Sequence, residues 1–100
     1  MKPIIVHSQA REELDEAMAH YETRQEGLGL DLQAEVEWTL EKIRENPQLG
    51  SPYKASDYRF WIVHRFHYVV FYLELDESIW VAAIAHGSKR PDYWRRRRIE

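Results

Sequence analysis

The sequence predicts one α+β domain in which a helical hairpin packs on a four-stranded antiparallel sheet. Three observations predict it. The chain has only 100 residues, which suits a single domain with one modest core. Apolar residues recur at helical spacing between residues 10 and 43, and in strand-like runs between residues 58 and 85. Glycine and proline lie between these segments. We therefore expect residues 1–100 to form one domain, with residues 87–100 as a basic tail.

The first half of the chain predicts one strand followed by two helices. Residues 3–7 are a short β-branched run typical of a strand, and Ser8 is a suitable N-cap for the first helix. Residues 27–29 indicate a tight turn, so the two helices should lie antiparallel. Their apolar stripes are Ala10, Leu14, Ala17, Met18 and Tyr21 in the first helix, and Leu32, Val36, Leu40 and Ile43 in the second.

The second half predicts a loop and three hairpin-linked strands. Residues 46–57 are rich in proline and serine and are interpreted as a loop, after which strands are expected at residues 58–63, 68–73 and 79–85. The predicted order is therefore β-α-α-β-β-β, a two-layer arrangement. Because these strands are almost continuously apolar, the sheet face opposite the helices should be partly covered, for example by a bound peptide.

The charge is unevenly distributed along the chain, although the net charge is only −3. Residues 1–50 carry five basic and eleven acidic side chains, whereas residues 51–100 carry nine basic and six acidic ones. An anionic target should therefore meet the C-terminal half. The absence of cysteine excludes disulfides, thiolate metal sites and cysteine nucleophiles. No apolar run could span a membrane and the N-terminus does not suit a signal peptide, so we expect a cytoplasmic protein with no membrane partner.

Three segments, together with the order of elements, resemble the RelE/ParE superfamily of toxins from type II toxin–antitoxin systems, which includes plasmid stabilisation proteins. Residues 65–72 resemble the entry to the family's central strand, with His67 where that pattern often has proline. Residues 81–94 resemble its last strand and the basic segment that follows, and residues 8–14 resemble its first helix start. The resemblance implies a cognate antitoxin whose C-terminal segment wraps the toxin as a helix or an added strand. The expected assembly is a toxin dimer or a hetero-oligomer of toxin and antitoxin.

The superfamily implies two different targets. RelE-like members are ribosome-dependent mRNA endoribonucleases, and ParE-like members inhibit DNA gyrase without chemistry of their own. Metal-free RNA cleavage needs a base for the 2′-hydroxyl, cations for the phosphate and an acid for the leaving oxygen. The candidate catalytic residues are His86, Tyr93, Arg90 and Arg59. The candidate residues for binding RNA or another target are Arg65, Lys89, Trp94, Arg95 and Arg96.

Structural roles are equally open for most of these residues. His86 ends a strand, Arg59 could cap a sheet edge, Arg65 lies in a turn, and Tyr93 and Trp94 could pack the tail on the sheet. The remaining histidines show no metal-ligand spacing, and no cofactor motif is present, so neither a metal nor a cofactor is expected. The acids of the helices are interpreted as solvated.

The pI of about 5.9 favours gyrase inhibition slightly, because a nuclease that enters ribosomal RNA is usually strongly basic. Whether the protein is an enzyme stays open at this stage. A third alternative is a toxin-like protein that has lost its potency and persists as a stable antitoxin partner.

Overall fold

The computed structural model describes residues 1–99 and contains two helices and five strands. None of the helices in this part of the chain is long and apolar enough to cross a membrane. The elements in chain order are β1 (Ile4–Val6), α1 (Ser8–Arg24), α2 (Leu28–Glu45), β2 (Ser51–Pro52), β3 (Arg59–Ile62), β4 (Tyr68–Glu74) and β5 (Ile79–His86).

The turn between α1 and α2 depends on glycine and on one carboxylate. Gly27 has a positive φ of 87°, which favours glycine. A Cβ on Gly29 would lie 2.6 Å from the carbonyl oxygen of Met18, so the helices approach too closely there for a side chain. The Glu22 carboxylate accepts hydrogen bonds from the amides of Gly27 and Gly29, at 2.8 and 2.9 Å. Glu22 thereby satisfies free donors at the start of α2.

The predicted N-cap of α1 is wrong by one residue. His7, and not Ser8, takes the N-cap position, and its Nδ1 accepts a hydrogen bond from the amide of Gln9 at 3.0 Å. A ring nitrogen can thus replace the side-chain oxygen that usually satisfies a helix N-terminus.

The sheet has five strands in the order β1-β5-β4-β3-β2 and is mixed, which corrects the expected four-stranded antiparallel sheet. β1 pairs with β5 in parallel, and the other neighbours are antiparallel. The fifth strand is β2, which was hidden in the predicted loop because it has only two residues, one of them proline at a sheet edge. β1 has only three residues and pairs with the last strand of the chain, so no hairpin fixes its direction and the local sequence does not reveal it.

Both faces of the sheet are buried, by different parts of the chain. The helices cover one face and contribute apolar side chains such as Leu14 and Val36 to the core. On the opposite face, Trp94 packs with Trp80 and the alanines of β5, and aromatic residues from 53–58 join them. The covering that the apolar strands predicted is therefore supplied by the chain's own tail and by residues 53–58, without a bound peptide.

The turn between β3 and β4 uses left-handed backbone at two non-glycine residues. The φ angles are 77° at Arg65 and 56° at His67, and the carbonyl of His67 accepts a hydrogen bond from the amide of Gly87 at 2.8 Å. Proline fixes φ near −65°, so it cannot occupy position 67 in this conformation.

We expect His67→Pro to lower the free energy of unfolding by about 3 kcal/mol or more, because it would force this turn to rebuild. His67→Gly should change it by less than about 1 kcal/mol, since relief of the left-handed strain is offset by glycine's larger chain entropy. Urea denaturation followed by circular dichroism measures both variants. Equal stabilities for the proline and glycine variants would contradict the assigned conformation.

Candidate functional site

The tail leaves β5 at His86 and folds across the sheet face that the helices do not cover. Its anchor is Trp94, which is only 1 % exposed. The indole stacks on Phe71 with ring centroids 4.6 Å apart and meets the edge of Tyr58 at 4.9 Å. In this position Trp94 has no open ring face on which a nucleic-acid base could stack. Trp94 thus packs the tail against the sheet.

A second anchor lies at Asp92, two residues before Trp94. The hydroxyl of Tyr53 donates a hydrogen bond to Oδ1 of Asp92 at 2.6 Å, and Lys54 Nζ lies 2.6 Å from Oδ2. The hydrogen bond from Lys54 is the largest cause that lowers the pKa of the Asp92 carboxyl below its ordinary value. The loop before β3 is thereby tied to the tail.

The third anchor, here called the β5-edge network, joins Glu13, Tyr93 and Arg97 to the backbone of Ala82 and Ile84. Both oxygens of the Glu13 carboxylate bind the Arg97 guanidinium, at 2.9 and 3.1 Å. Arg97 also donates to the carbonyl of Ala82 at 2.9 Å, Glu13 accepts from the amide of Ile84 at 3.1 Å, and the Tyr93 hydroxyl donates to Glu13. Two side chains of the tail thus reach around the sheet edge to α1.

A β-bulge prepares this edge. Phe71 pairs with Ala83 and Tyr72 pairs with Val81, so Ala82 is an extra residue without a partner on β4. Such a residue shifts the alternation of the backbone groups, which leaves the carbonyl of Ala82 and the amide of Ile84 facing away from β4. β1 ends at Val6, opposite Val81, so the side chains of Arg97 and Glu13 complete the edge beyond it.

Tyr93 is poorly suited to proton transfer in this environment. Burial raises the pKa of its hydroxyl well above the usual value, and the hydrogen bond to the Glu13 carboxylate raises it further. The hydroxyl therefore stays protonated and donates to Glu13. A general acid or base works best with a pKa near the operating pH.

His86 is held by the turn that follows β5. Its Nδ1 accepts a hydrogen bond from the amide of Ser88 at 3.0 Å and lies 2.7 Å from the hydroxyl oxygen of Ser88. Because an amide can only donate, Nδ1 is the acceptor of this hydrogen bond, and the turn holds the ring beside Ser88.

One of the predicted cations, Arg59, lies apart from His86. Arg59 begins β3, where it pairs with Tyr72, while His86 pairs with Tyr68 four residues along β4. The Arg59 guanidinium donates to the carbonyls of Gln48 and Gly50, at 3.2 and 2.8 Å, and so holds the loop after α2. Arg59 thus caps backbone carbonyls beside this strand, as in the structural role considered for it.

Arg65 lies in the β3–β4 turn on the side of α2. Its guanidinium stands over the ring of Phe66 at 5.0 Å and lies 3.9 Å from the Asp31 carboxylate. Arg65 therefore faces α2, in a turn whose other end contacts the start of the tail through His67 and Gly87.

The cations of the tail lie closer to His86. Lys89 and Arg90 line one shallow groove with His86 and Tyr93. Lys89 Nζ is 5.9 Å from the ring of Tyr93. Trp94 lines the same groove, so the structure brings five of the predicted residues together and leaves Arg59 and Arg65 outside.

Arg95 and Arg96 are neighbours in the sequence but differ in their contacts. Arg95 lies 3.6 Å from the Asp92 carboxylate and 5.5 Å from the Tyr58 ring, so it is held against the tail. Arg96 is exposed and makes no ion pair with another residue in 1–99.

Sequence reasoning missed Glu13 and Arg97, which the structure places at the centre of the β5-edge network. Glu13 was counted among solvated acids, yet its side chain is 18 % exposed and that of Arg97 is 11 % exposed. One signal was present: Glu13 lies three residues after Ala10 and four before Ala17, and so within the apolar stripe of α1. No local signal pointed to Arg97.

Among residues 1–99, no group of three histidine, aspartate or glutamate side chains is arranged to hold a metal ion. The tail presents a partly cationic surface that is held in place by internal hydrogen bonds.

Comparison with known proteins identifies the family. Residues 4–91 match the family of the ParE toxin of the type II toxin–antitoxin system, parDE. A solved structure described as the chromosomal ParDE TA system from P. aeruginosa has the same fold, with a TM-score of 0.77 and 15 % identity, covering 86 % of this chain and 96 % of that chain. No curated protein matches the sequence significantly. The chain belongs to the ParE toxin family of type II toxin–antitoxin systems.

Proposed function

We propose that this protein stops bacterial growth by binding DNA gyrase, without chemistry of its own, and that a cognate antitoxin neutralises it in the cytoplasm. Membership of the ParE family supports the toxin role. The observation that carries the choice of mechanism is that both predicted proton-transfer groups are engaged within the protein. Tyr93 donates to Glu13, and the accepting nitrogen of His86 is bound by Ser88.

RNA cleavage has less support from this geometry. It requires a base, an acid and several cations around one phosphate. Here Arg59 holds the loop after α2, Arg65 faces Asp31 of α2, and Arg95 is paired with Asp92. Lys89 and Arg90 alone remain beside His86 as exposed cations.

The antitoxin has two suitable apolar surfaces in the described part of the chain. One is the outer face of α2, where Leu30 and Trp38 are exposed. The other is the free end of the β3 edge, where exposed Leu49 and Ile62 line a groove beside a strand end that β2 does not cover. Either fits a segment that folds on binding, as a helix or as an added strand.

The decisive experiment compares the two targets directly with His86→Ala. We expect the purified variant to inhibit gyrase supercoiling within about twofold of the wild-type protein, because the ring makes only a local contact with Ser88. Expression in cells should cause DNA breaks and leave transcripts uncut in primer extension.

The matched control is His64→Ala, which removes a histidine that is 77 % exposed at its side chain. Transcript cleavage by the wild-type protein that is lost in His86→Ala but kept in His64→Ala would contradict the proposal and establish the nuclease. If expression causes no growth arrest at all, the protein is better described as a toxin that has lost its potency.

A further inference from the structure

The four arginines at residues 95–98 alternate in whether they make an ion pair, although only Arg97 is partly buried. Arg95 and Arg97 fold back onto the protein, to Asp92 and Glu13 respectively. Arg96 and Arg98 are exposed and make no ion pair with another residue in 1–99. A solvated, disordered basic tail would show no such alternation.

The backbone that carries the exposed arginines is fixed on both sides. Trp94 is buried two residues before Arg96, and Arg97 is bound by both oxygens of Glu13. The amides of Arg95 and Arg97 also donate to the carbonyls of Asp92 and Trp94, both at 3.0 Å. Because the backbone is already ordered, a ligand of Arg96 and Arg98 would need to order little more than their side chains.

The chemistry of these side chains favours phosphate. The planar guanidinium binds two phosphate oxygens at once, and duplex DNA presents one negative charge about every 1.7 Å along its axis. The aromatic rings of the tail are not available to stack on bases, since Trp94 is buried and Tyr93 is bound to Glu13. The contact would therefore be to the backbone and independent of sequence.

The charge distribution also favours the approach of a polyanion from the side of the tail. Residues 1–50 carry a large excess of acids, and most of these lie on the exposed faces of α1 and α2. A polyanion would be repelled from the helices and attracted to the tail. Arg90, six residues before Arg96 in the same tail, is also exposed and makes no ion pair in the described chain.

We propose that Arg90, Arg96 and Arg98 form a phosphate-binding patch that contacts the backbone of duplex DNA. This deepens the proposed function, on which it rests, because gyrase acts on DNA and the toxin would meet the two together. Arg95 and Arg97 are positioning residues, since they fix the tail without facing the ligand.

The test measures binding of the purified protein to a fluorescent 30-base-pair duplex by anisotropy between 50 and 200 mM salt. Three phosphate contacts predict a slope of log affinity against log salt of about −2.7, and so about a 40-fold loss of affinity over this range. The double variant Arg96→Ala/Arg98→Ala should make the slope shallower by about 1.8. The control Arg11→Ala/Arg24→Ala removes the same charge from exposed positions of α1 and should keep the wild-type slope.

Three outcomes would overturn the proposal: no binding by the wild-type protein, an equal loss in the α1 control, or a polyglutamate peptide that binds as tightly as the duplex. The last outcome would assign the patch to an acidic protein segment. Because the assay contains no gyrase, DNA binding without gyrase inhibition would sustain the patch and contradict the proposed function separately.

Discussion

Trp94→Ala is expected to lower the free energy of unfolding by about 3–5 kcal/mol, which is the usual cost of removing a large buried aromatic ring. The indole is 1 % exposed and contacts the rings of Phe71, Tyr58 and Tyr53. Its loss would leave a cavity over the sheet and release the middle of the tail. A domain of this size has only about 5–15 kcal/mol of stability, so the effect would be large.

The chain supplies a matched control for this measurement. Trp38 on α2 is 53 % exposed, and Lys42 stands over its ring at 5.4 Å. Trp38→Ala should therefore change the free energy of unfolding by no more than about 0.5 kcal/mol. Urea denaturation of both variants, followed by circular dichroism, gives the comparison. Similar losses for the two tryptophans would mean that the tail is not part of the folded core.

Local patterns predicted most of the fold. The two helices and the three long strands were found because their apolar residues recur at periods that geometry imposes on each element. The strand predicted at residues 58–63 is Arg59–Ile62, and the one at 79–85 is Ile79–His86. Errors of one or two residues at element ends are normal, because neighbouring residues have similar preferences there.

The direction of β1 could not be found in the same way. β1 has three residues and pairs with β5, which lies at the other end of the chain, so its direction depends on the path of the whole chain. β2 was missed for a different reason: two residues carry no periodicity, and proline argues against a strand except at an edge.

Only part of the candidate site could be predicted, because some of its interactions join residues that are far apart in the sequence. The grouping of His86, Lys89, Arg90 and Tyr93 follows from their closeness in sequence. The engagement of Tyr93 depends on Glu13, eighty residues earlier, and on the bulge at Ala82 that opens the β5 edge. Interactions over such separations leave no local pattern, and they decide whether a tyrosine acts as a proton donor to substrate or as a structural hydrogen-bond donor.

Glu13→Ala tests that structural role most directly, and we expect it to lower the free energy of unfolding by about 3–5 kcal/mol. The change would leave the largely buried Arg97 guanidinium without a counter-ion and the amide of Ile84 without its acceptor. Glu12→Ala, at the neighbouring exposed position of α1, removes the same charge and should cost no more than about 0.5 kcal/mol.

A double-mutant cycle with Arg97→Ala separates the ion pair from the rest of the β5-edge network. If the two side chains act together, the double variant should be less destabilised than the sum of the single variants, by about 0.5–3 kcal/mol. Additive losses would contradict the pairing of Glu13 with Arg97. Because Arg97 also fixes the backbone between Arg96 and Arg98, Glu13→Ala should weaken DNA binding even at temperatures where the variant remains folded. Wild-type DNA affinity in a folded Glu13→Ala protein would show that the network stabilises the tail without positioning the phosphate-binding patch.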